Sequence, residues 1–332
     1  MPDGWIILDK PLGLGSTQAV AAVKRNLREA GLGKVKVGHG GTLDPLATGV
    51  LPIALGEATK LAGRMLDASK TYAFTIAFGA QTDTLDLEGT VIATSDVRPS
   101  PAQIEAVLPR FTGPIEQVPP AYSALKVGGQ RAYDLARAGA VVELAARAVT
   151  VFEIRPHWGR WRAAGSSEGA QLSQQAPTVS PDGLPPPPAG EDLLQEITLI
   201  AHVSKGTYIR SLARDIALAL GTRGHVTMLR RLAAGPFTET QAISLDKLNA
   251  VGKGAALENV LLPLEAGLVD IPALDLSPQQ AGMVRQGRVL SGLTHDDGLY
   301  WARTGPVPLA LIELSGGDAR VVRGFNLSDV AE

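Results

Sequence analysis

The most informative stretch of the sequence is Gly38-His39-Gly40-Gly41-Thr42-Leu43-Asp44-Pro45-Leu46-Ala47-Thr48-Gly49-Val50-Leu51-Pro52. The glycines at its start let the backbone approach a bulky ligand closely. Pro45 disfavours α geometry in the residue before it, so Asp44 is held extended and its carboxylate gains a preferred direction. From these residues alone, an Asx-Pro turn is the simpler interpretation. A P-loop phosphate cradle does not fit, because G-x-x-x-x-G-K-[ST] is absent.

Hydrophobic periodicity on both sides of this loop predicts alternating strands and helices. Gly4 to Leu8 is typical of a short buried strand. A helix follows that Ser16 caps and Gly31 ends. After the loop, residues 50–55 predict a strand despite Pro52, and residues 57–67 predict a helix.

The rest of the chain mixes strands and helices in the same way. From Tyr72 to Phe78 aromatic and aliphatic residues alternate with smaller ones, which predicts a strand with an aromatic face. Thr207 to Leu220 carries apolar residues at helical spacing. Because there is no regular βαβ period, the sequence predicts an α+β fold with a mixed sheet.

Composition sets the class of protein. The 332 residues are 45% hydrophobic and 19% charged, which is globular. No apolar run is long enough to span a membrane, and the acidic N-terminus is unlike a secretory signal, so we expect a cytoplasmic protein. There is no cysteine, which excludes disulfides, thiolate metal sites and cysteine nucleophiles. The five histidines are scattered, so we expect neither a metal nor any other cofactor.

Charge is distributed unevenly. The net charge is −2, yet residues 200–232 carry six bases and one acid, a balance of +5. A basic segment in an acidic chain predicts a localised site for a polyanion. A solvated helix face is the alternative interpretation.

Two features predict the domain organisation. Turn chemistry and a change of charge around residues 263–272 place a boundary there, giving domains at 1–265 and 266–332. The second is short, β-rich and marked by glycine turns. Residues 163–192 are rich in Ser, Gln, Gly and Pro, which predicts a disordered insertion between two strands of the first domain. A domain linker is the alternative.

Several blocks of this sequence, in this order, resemble the TruB family of tRNA pseudouridine synthases. Besides the glycine-aspartate loop, they are Ile7-Leu8-Asp9-Lys10-Pro11-Leu12-Gly13, Lys70-Thr71-Tyr72, Gln81-Thr82-Asp83-Thr84-Leu85-Asp86, Pro119-Pro120-Ala121-Tyr122-Ser123-Ala124-Leu125-Lys126, Ser204-Lys205-Gly206-Thr207-Tyr208-Ile209-Arg210-Ser211-Leu212 and Leu229-Arg230-Arg231-Leu232. The resemblance covers residues from about 4 to 245. It implies a pseudouridine synthase fold, with a largely antiparallel central sheet flanked by helices. Residues 266–332 resemble, less closely, the RNA-binding PUA-like module of the family.

The resemblance also implies roles for individual residues. Asp44 matches the catalytic aspartate, Tyr72 the tyrosine that stacks on the target uracil, and Arg210 the arginine that pairs with the aspartate. Other matched positions contact RNA, line the pocket or support the active site: His39, Tyr208, Leu229, Lys10 and Pro11. The basic segment adds predicted contacts to tRNA phosphates from Lys205, Arg230 and Arg231.

The chemistry implied is isomerisation of a T-loop uridine of tRNA, at position 55. Breaking the glycosidic bond puts positive character on the sugar, and one carboxylate suffices to stabilise or attack that centre. Glycosidases need two carboxylates because they activate a water, which this reaction does not consume. The partner expected is the tRNA T-arm, without a protein partner. The alternatives are a non-catalytic RNA-binding module and a guide-RNA-dependent synthase.

Overall fold

The computed structural model describes residues 2–140, 142–158 and 193–327. The chain forms two compact units. One comprises Met1–Asp67 with Ala233–Glu332, and the other comprises Ala68–Leu232. The predicted insertion at 163–192 lies outside the described residues. The units do not follow the predicted division at residue 265, which stays a prediction.

The first unit begins with three strands and two helices, and the glycine-aspartate loop lies between the second and third strands. Its first elements are β1 (Gly4–Lys10), α1 (Ser16–Glu29), β2 (Val37–His39), β3 (Ala47–Leu55), a 3₁₀ turn at Gly56–Leu61 and α2 (Ala62–Asp67). Strand β3 pairs antiparallel with both β1 and β2. The segment predicted as a helix over residues 57–67 consists of the 3₁₀ turn at Gly56–Leu61 and the α-helix α2.

Ser16 corrects one detail of the sequence analysis. The N-cap of α1 is Gly15, and Ser16 lies in the first turn of the helix. Its hydroxyl donates to the carbonyl oxygen of Leu43 at 2.9 Å and accepts from the backbone N–H of Leu43 at 2.8 Å. The serine was expected to cap its own helix, but it satisfies both backbone groups of the residue before Asp44 instead.

The second unit is a sheet with helices packed on it. Its elements are β4 (Lys70–Phe78), β5 (Ala80–Thr82), β6 (Val91–Thr94), α3 (Pro101–Val107), a 3₁₀ turn at Leu108–Phe111, β7 (Gly113–Gln117), β8 (Lys126–Val127), β9 (Gln130–Arg131), α4 (Ala132–Arg137), β10 (Arg147–His157), β11 (Glu196–Val203), α5 (Ile209–Ala219) and all but the last two residues of β12 (Gly224–Ala234). Strands β4, β11, β10 and β7 are neighbours in that order, and each pair is antiparallel.

Alternation along β4 builds the core of this unit. Phe74 and Ile76 are fully buried against β11 and the apolar face of α5, where Leu212 and Ile216 are also fully buried. Burying a side chain of this size stabilises a fold by about 1.5–3 kcal/mol. The core therefore fixes the start of α5, which carries Arg210, relative to the strand that carries Tyr72.

The first unit is completed by the C-terminal part of the chain. Its elements are β13 (Phe237–Thr238), α6 (Leu245–Gly252), β14 (Ala273–Asp275), α7 (Pro278–Arg285), β15 (Gly298–Thr304), β16 (Val307–Ser315) and β17 (Asp318–Gly324), with 3₁₀ turns at Glu239–Gln241, Leu257–Asn259 and Leu264–Gly267. Strands β14 to β17 form one sheet with its own core, and β14 pairs parallel with β15. Gly305 turns the chain between β15 and β16 with φ 53°. The predicted mixed α+β class and the β-rich C-terminal module are confirmed.

Candidate functional site

Asp44 lies on a tight turn in the first unit. The Ala47 N–H donates to the Asp44 carbonyl oxygen at 3.0 Å, which closes a four-residue turn with Pro45 at its second position. The Asp44 side chain is exposed, whereas Leu43 beside it is buried. Gly40 has no room for a side chain, because a Cβ there would stand 2.5 Å from the Cβ of Met65. The loop thus presents a carboxylate from an anchored backbone.

Lys10 anchors this turn from beneath. Its side chain is fully buried, and its ammonium donates to the carbonyl oxygens of Leu14 at 2.6 Å, Pro11 at 3.1 Å and Pro45 at 3.3 Å. A buried ammonium is tolerated when its donors are satisfied in this way. Lys10 therefore holds the Pro11 and Pro45 carbonyl groups from inside the protein, and the roles that the resemblance implies for Lys10 and Pro11 stay predictions. His39 lies half-buried at the end of β2.

Arg210 is held in the second unit by three groups. It lies in the first turn of α5 with 7% of its surface exposed. Its Nη1 stands 3.1 Å from Asp86 Oδ2 and donates to the Thr84 carbonyl oxygen at 2.9 Å, and its Nη2 donates to the Tyr122 carbonyl oxygen at 3.0 Å. Such charge-assisted bonds fix the plane of the guanidinium. The predicted pair between Arg210 and Asp44 joins residues of the two units and stays a prediction.

The sequence analysis missed Asp86 as a partner of Arg210. Asp86 is also buried, with 7% exposed, and it accepts from the Thr84 hydroxyl at 2.6 Å and the Glu88 N–H at 3.0 Å. The sequence did contain an indication that Asp86 matters, because Asp86 belongs to one of the blocks that carry the resemblance. An ion pair between residues 124 positions apart cannot be read from spacing alone.

Asp83, by contrast, has a local role in a turn. It accepts from the N–H groups of Thr84 and Thr90, both at 2.9 Å, and from the Tyr122 hydroxyl at 3.2 Å. Burial and the nearby Asp83 charge raise the pKa of Tyr122, so its hydroxyl stays a donor. The contacts to Thr84 and Thr90 are those of a carboxylate that stabilises a local turn.

The backbone between these two carboxylates is strained. Leu85 has φ 64°, the one positive φ of a non-glycine residue in the described part of the chain. Its carbonyl oxygen accepts from the Val226 N–H at 3.0 Å, and its side chain is buried. A left-handed conformation costs a residue with a Cβ about 1–2 kcal/mol. The turn that points Asp86 at Arg210 is therefore maintained by its surroundings.

Three further predicted residues gather near α5 and its core. Tyr72 is half-buried on β4, opposite Ala201 of β11, and packs against the core of the second unit. Leu229, on β12, packs against the same core. Tyr208 is the half-buried N-cap residue of α5, and its N–H donates to Gln117 Oε1 at 2.7 Å. The structure thus brings Tyr72, Leu229, Tyr208 and Arg210 into one unit.

The basic segment does not form one exposed surface. Lys205 is exposed, but Arg230 and Arg231 are 6% and 1% exposed, and Arg210 is buried as well. A buried guanidinium is not accessible to the phosphates of a diffusing RNA. The burial of Arg230 and Arg231 favours a structural role over the phosphate contacts predicted for them. A net charge of +5 along residues 200–232 does not by itself mean that these side chains face solvent.

Among the described residues, no group of three or more His, Asp and Glu side chains could hold a metal ion. None of the described helices is both long and apolar enough to cross a membrane.

Comparisons with family models and with known relatives point to the same family. The N-terminal domain of TruB family pseudouridylate synthases matches residues 28–163, and the C-terminal domain of tRNA pseudouridylate synthase B matches residues 210–269. A tRNA pseudouridine synthase B of Novosphingobium aromaticivorans is 68% identical over 100% of both chains. A protein of the same name from Zymomonas mobilis is 54% identical over 97% of this chain and 96% of its own.

A solved structure shares the fold. It is an H/ACA RNP bound to a substrate RNA containing 2'-deoxyuridine, with a TM-score of 0.65 and 23% identity, covering 98% of this chain and 86% of that one. The predicted fold class is confirmed by this likeness.

Proposed function

Since this chain belongs to the TruB family and isomerises uridine to pseudouridine in tRNA, we propose that its target is the T-loop uridine at position 55 and that Asp44 is its catalytic residue. The observation that carries the proposal for Asp44 is its exposed carboxylate on a turn anchored by Ser16 and Lys10. An anchored carboxylate is preorganised, so little reorganisation is needed when charge develops on the sugar.

The reaction needs one carboxylate and a bound base. Asp44 stabilises or attacks the centre that becomes positive as the C1′–N1 bond breaks. Uracil stays in the pocket, rotates, and is rejoined through C5. That carbon then loses its proton and N1, which is no longer bonded to the sugar, gains one, so the product has the same atoms as the substrate. Tyr72 supplies an aromatic face for a base taken out of its stack, and its hydroxyl is the group that we assign to the final proton transfer.

Arg210 acts on the charge of the site. Its guanidinium keeps a carboxylate ionised when the two are paired. Asp86, Thr84 and Tyr122 fix the guanidinium from one side. We assign to Arg210 the role of orienting Asp44, and to Asp86 the role of positioning Arg210. We assign Tyr208 and Leu229 to the lining of the uracil pocket, His39 to a contact with the T-loop, and Lys205 to an exposed basic contact with the RNA.

We also propose that the protein works in the cytoplasm, where tRNA is modified in bacteria, and that it acts without a protein partner. The alternative is a guide-RNA-dependent synthase. The likeness to a chain of an H/ACA RNP concerns the fold alone, so it does not support this alternative. The alternative is not favoured, because the relatives at 68% and 54% identity are tRNA pseudouridine synthases B.

One assay separates these functions. The purified protein is incubated with an unmodified tRNA transcript, without guide RNA or other protein, and pseudouridine at position 55 is measured. The expected result is complete modification of that uridine, with none in a transcript whose position 55 is cytidine. Binding without isomerisation would identify a non-catalytic module, and activity only after adding a guide would identify the ribonucleoprotein enzyme.

A further inference from the structure

A basic cavity on the first unit lies outside the loop that carries Asp44. It encloses about 430 Å³ and is lined by Lys24, Leu27, Arg28, Gly33, Lys34 and Val35. Leu27 and Val35 are buried and form an apolar floor, whereas the three cationic residues are exposed. The cavity therefore has an apolar base and a positively charged rim.

In the part of the chain that the structure describes, no carboxylate forms an ion pair with Lys24, Arg28 or Lys34. The nearest acid in the helix, Glu29, pairs with Arg25 at 4.0 Å. Lys24 and Arg28 are four residues apart on α1, a spacing at which like charges repel. A bound anion would relieve that repulsion.

The shape of the site favours an extended polyanion. The described lining includes no buried polar side chain that would bind a single small anion, and its cations stand on two different segments, α1 and the residues after it. Lys34 is five residues before His39, so the two are at most about 18 Å apart along the chain. That is within the width of a bound RNA stem-loop.

We propose that this cavity is a second contact for tRNA, in which Lys24, Arg28 and Lys34 bind phosphates of the RNA backbone away from the target uridine. The inference rests on the proposed function, because the polyanion is the substrate of that reaction. Its contribution is affinity, since phosphate contacts carry no sequence information.

The test compares two arginines of one helix. Arg28→Gln removes a rim charge, and Arg25→Gln removes a charge that is already paired with Glu29 and near Asn249. A triple variant, Lys24→Gln/Arg28→Gln/Lys34→Gln, removes the whole rim. We expect the triple variant to weaken tRNA binding at least tenfold and to lower the slope of log affinity against log salt by roughly 0.9 per lost contact.

The rate at saturating tRNA should be unchanged in all these variants, which separates this inference from the proposed function. If Arg28→Gln behaves like Arg25→Gln, or if the triple variant keeps the wild-type salt slope, the cavity is not a tRNA contact.

A second, independent observation concerns the start of α5. Its N-cap is Tyr208, which has no side-chain acceptor for the helix N–H groups. In a capping box, the side chain three residues into the helix would accept from the N-cap N–H. Here that residue is Ser211, whose hydroxyl donates to the Val118 carbonyl oxygen at 2.8 Å. Local capping is absent at the helix that carries Arg210.

Gln117 replaces the missing cap from the end of β7. It is 2% exposed, and its Oε1 accepts from the Tyr208 N–H at 2.7 Å. We infer that Gln117 is a positioning residue. Its side chain accepts the N-cap N–H, so the N-cap residue itself can be a tyrosine, and this bond holds in place the start of α5 with Tyr208 and Arg210.

Two variants of similar length test this role. Gln117→Met keeps the bulk and removes the acceptor, whereas Gln117→Glu keeps an oxygen for the Tyr208 N–H. We expect Met to slow single-turnover isomerisation by roughly 10- to 100-fold with tRNA affinity within threefold of wild type, because small misplacement of a catalytic group has effects of this size. Glu should recover most of the rate. A Met variant within threefold of the wild-type rate, or Met and Glu variants equally slow, would overturn the role.

Discussion

Two regions of this molecule have nearly the same charge pattern, but several basic side chains are buried in one region and exposed in the other. Residues 200–232 carry six bases and one acid, and residues 24–36 carry five bases and one acid. In the first region Arg210, Arg230 and Arg231 are buried. In the second region Lys24, Arg28 and Lys34 line an open cavity. A charge count along the sequence therefore identifies basic segments without telling which of them faces solvent.

The difference has a physical origin in the elements that carry the charges. The buried arginines lie on α5 and β12, which pack on an apolar core, and a guanidinium tolerates burial when its five donors find acceptors. The cavity residues lie on the solvent side of α1 and in the segment after it. We therefore expect the first region to govern chemistry and stability, and the second region to govern affinity.

The strongest test of this division between chemistry and affinity is a substitution of Asp44, the carboxylate that Arg210 is proposed to orient. Asp44→Asn should reduce the single-turnover rate by more than about 10³-fold, beyond what one lost electrostatic contact costs. The tRNA Kd should stay within threefold, because Asp44 acts on the sugar. A rate within tenfold of wild type, measured by quench-flow on labelled tRNA, would remove Asp44 from the catalytic role.

The next largest effect is expected at Asp86. Asp86→Asn leaves the Arg210 guanidinium without its buried carboxylate, and breaking such a pair costs about 3–5 kcal/mol. We expect a lower unfolding midpoint in urea and a rate reduced about 100-fold. Asp83→Asn, three residues away, is the matched control and should change the rate little. Equal effects of the two substitutions would show that Asp86 has no special link to Arg210.

Tyr72 separates stacking from proton transfer within the same region. Tyr72→Leu removes the ring and should weaken binding of the flipped base by about 1–3 kcal/mol. Tyr72→Phe keeps the ring, so RNA affinity should be retained while turnover falls strongly. Near wild-type turnover of the Phe variant would leave Tyr72 as a stacking platform only.

The smallest effect sharpens the contrast between the two basic regions. Arg231→Met removes a charge from a side chain that is 1% exposed. We expect the free energy of unfolding to fall by roughly 0.5–3 kcal/mol, and the salt slope of tRNA binding to stay at the wild-type value. A slope lowered by about one unit would return Arg231 to the RNA-binding surface.

Much of the fold was accessible from the sequence. Alternation predicted β4, and helical spacing predicted α5. These elements follow from local periodicity, which short windows of sequence contain. The resemblance added the loop of Asp44, which the residues alone would have left as a turn.

The sequence could not predict hydrogen bonds and ion pairs between residues that are far apart along the chain. Ser16 contacts Leu43, Gln117 contacts Tyr208, and Asp86 contacts Arg210. Each bond depends on tertiary placement, so no local rule indicates it. The burial of Arg230 and Arg231 belongs to the same class, because a residue's exposure is set by what packs over it.

Leu85 constrains how this protein can change. A glycine there would relax the left-handed backbone but leave an apolar space in the second unit, and an asparagine would bury an amide. No ordinary residue offers both a cheap left-handed conformation and a large apolar side chain. Each substitution that relaxes the turn therefore trades packing for backbone freedom. We expect selection in a mutational library to retain leucine or its closest apolar substitutes at position 85, although consensus rules for such a turn would favour glycine.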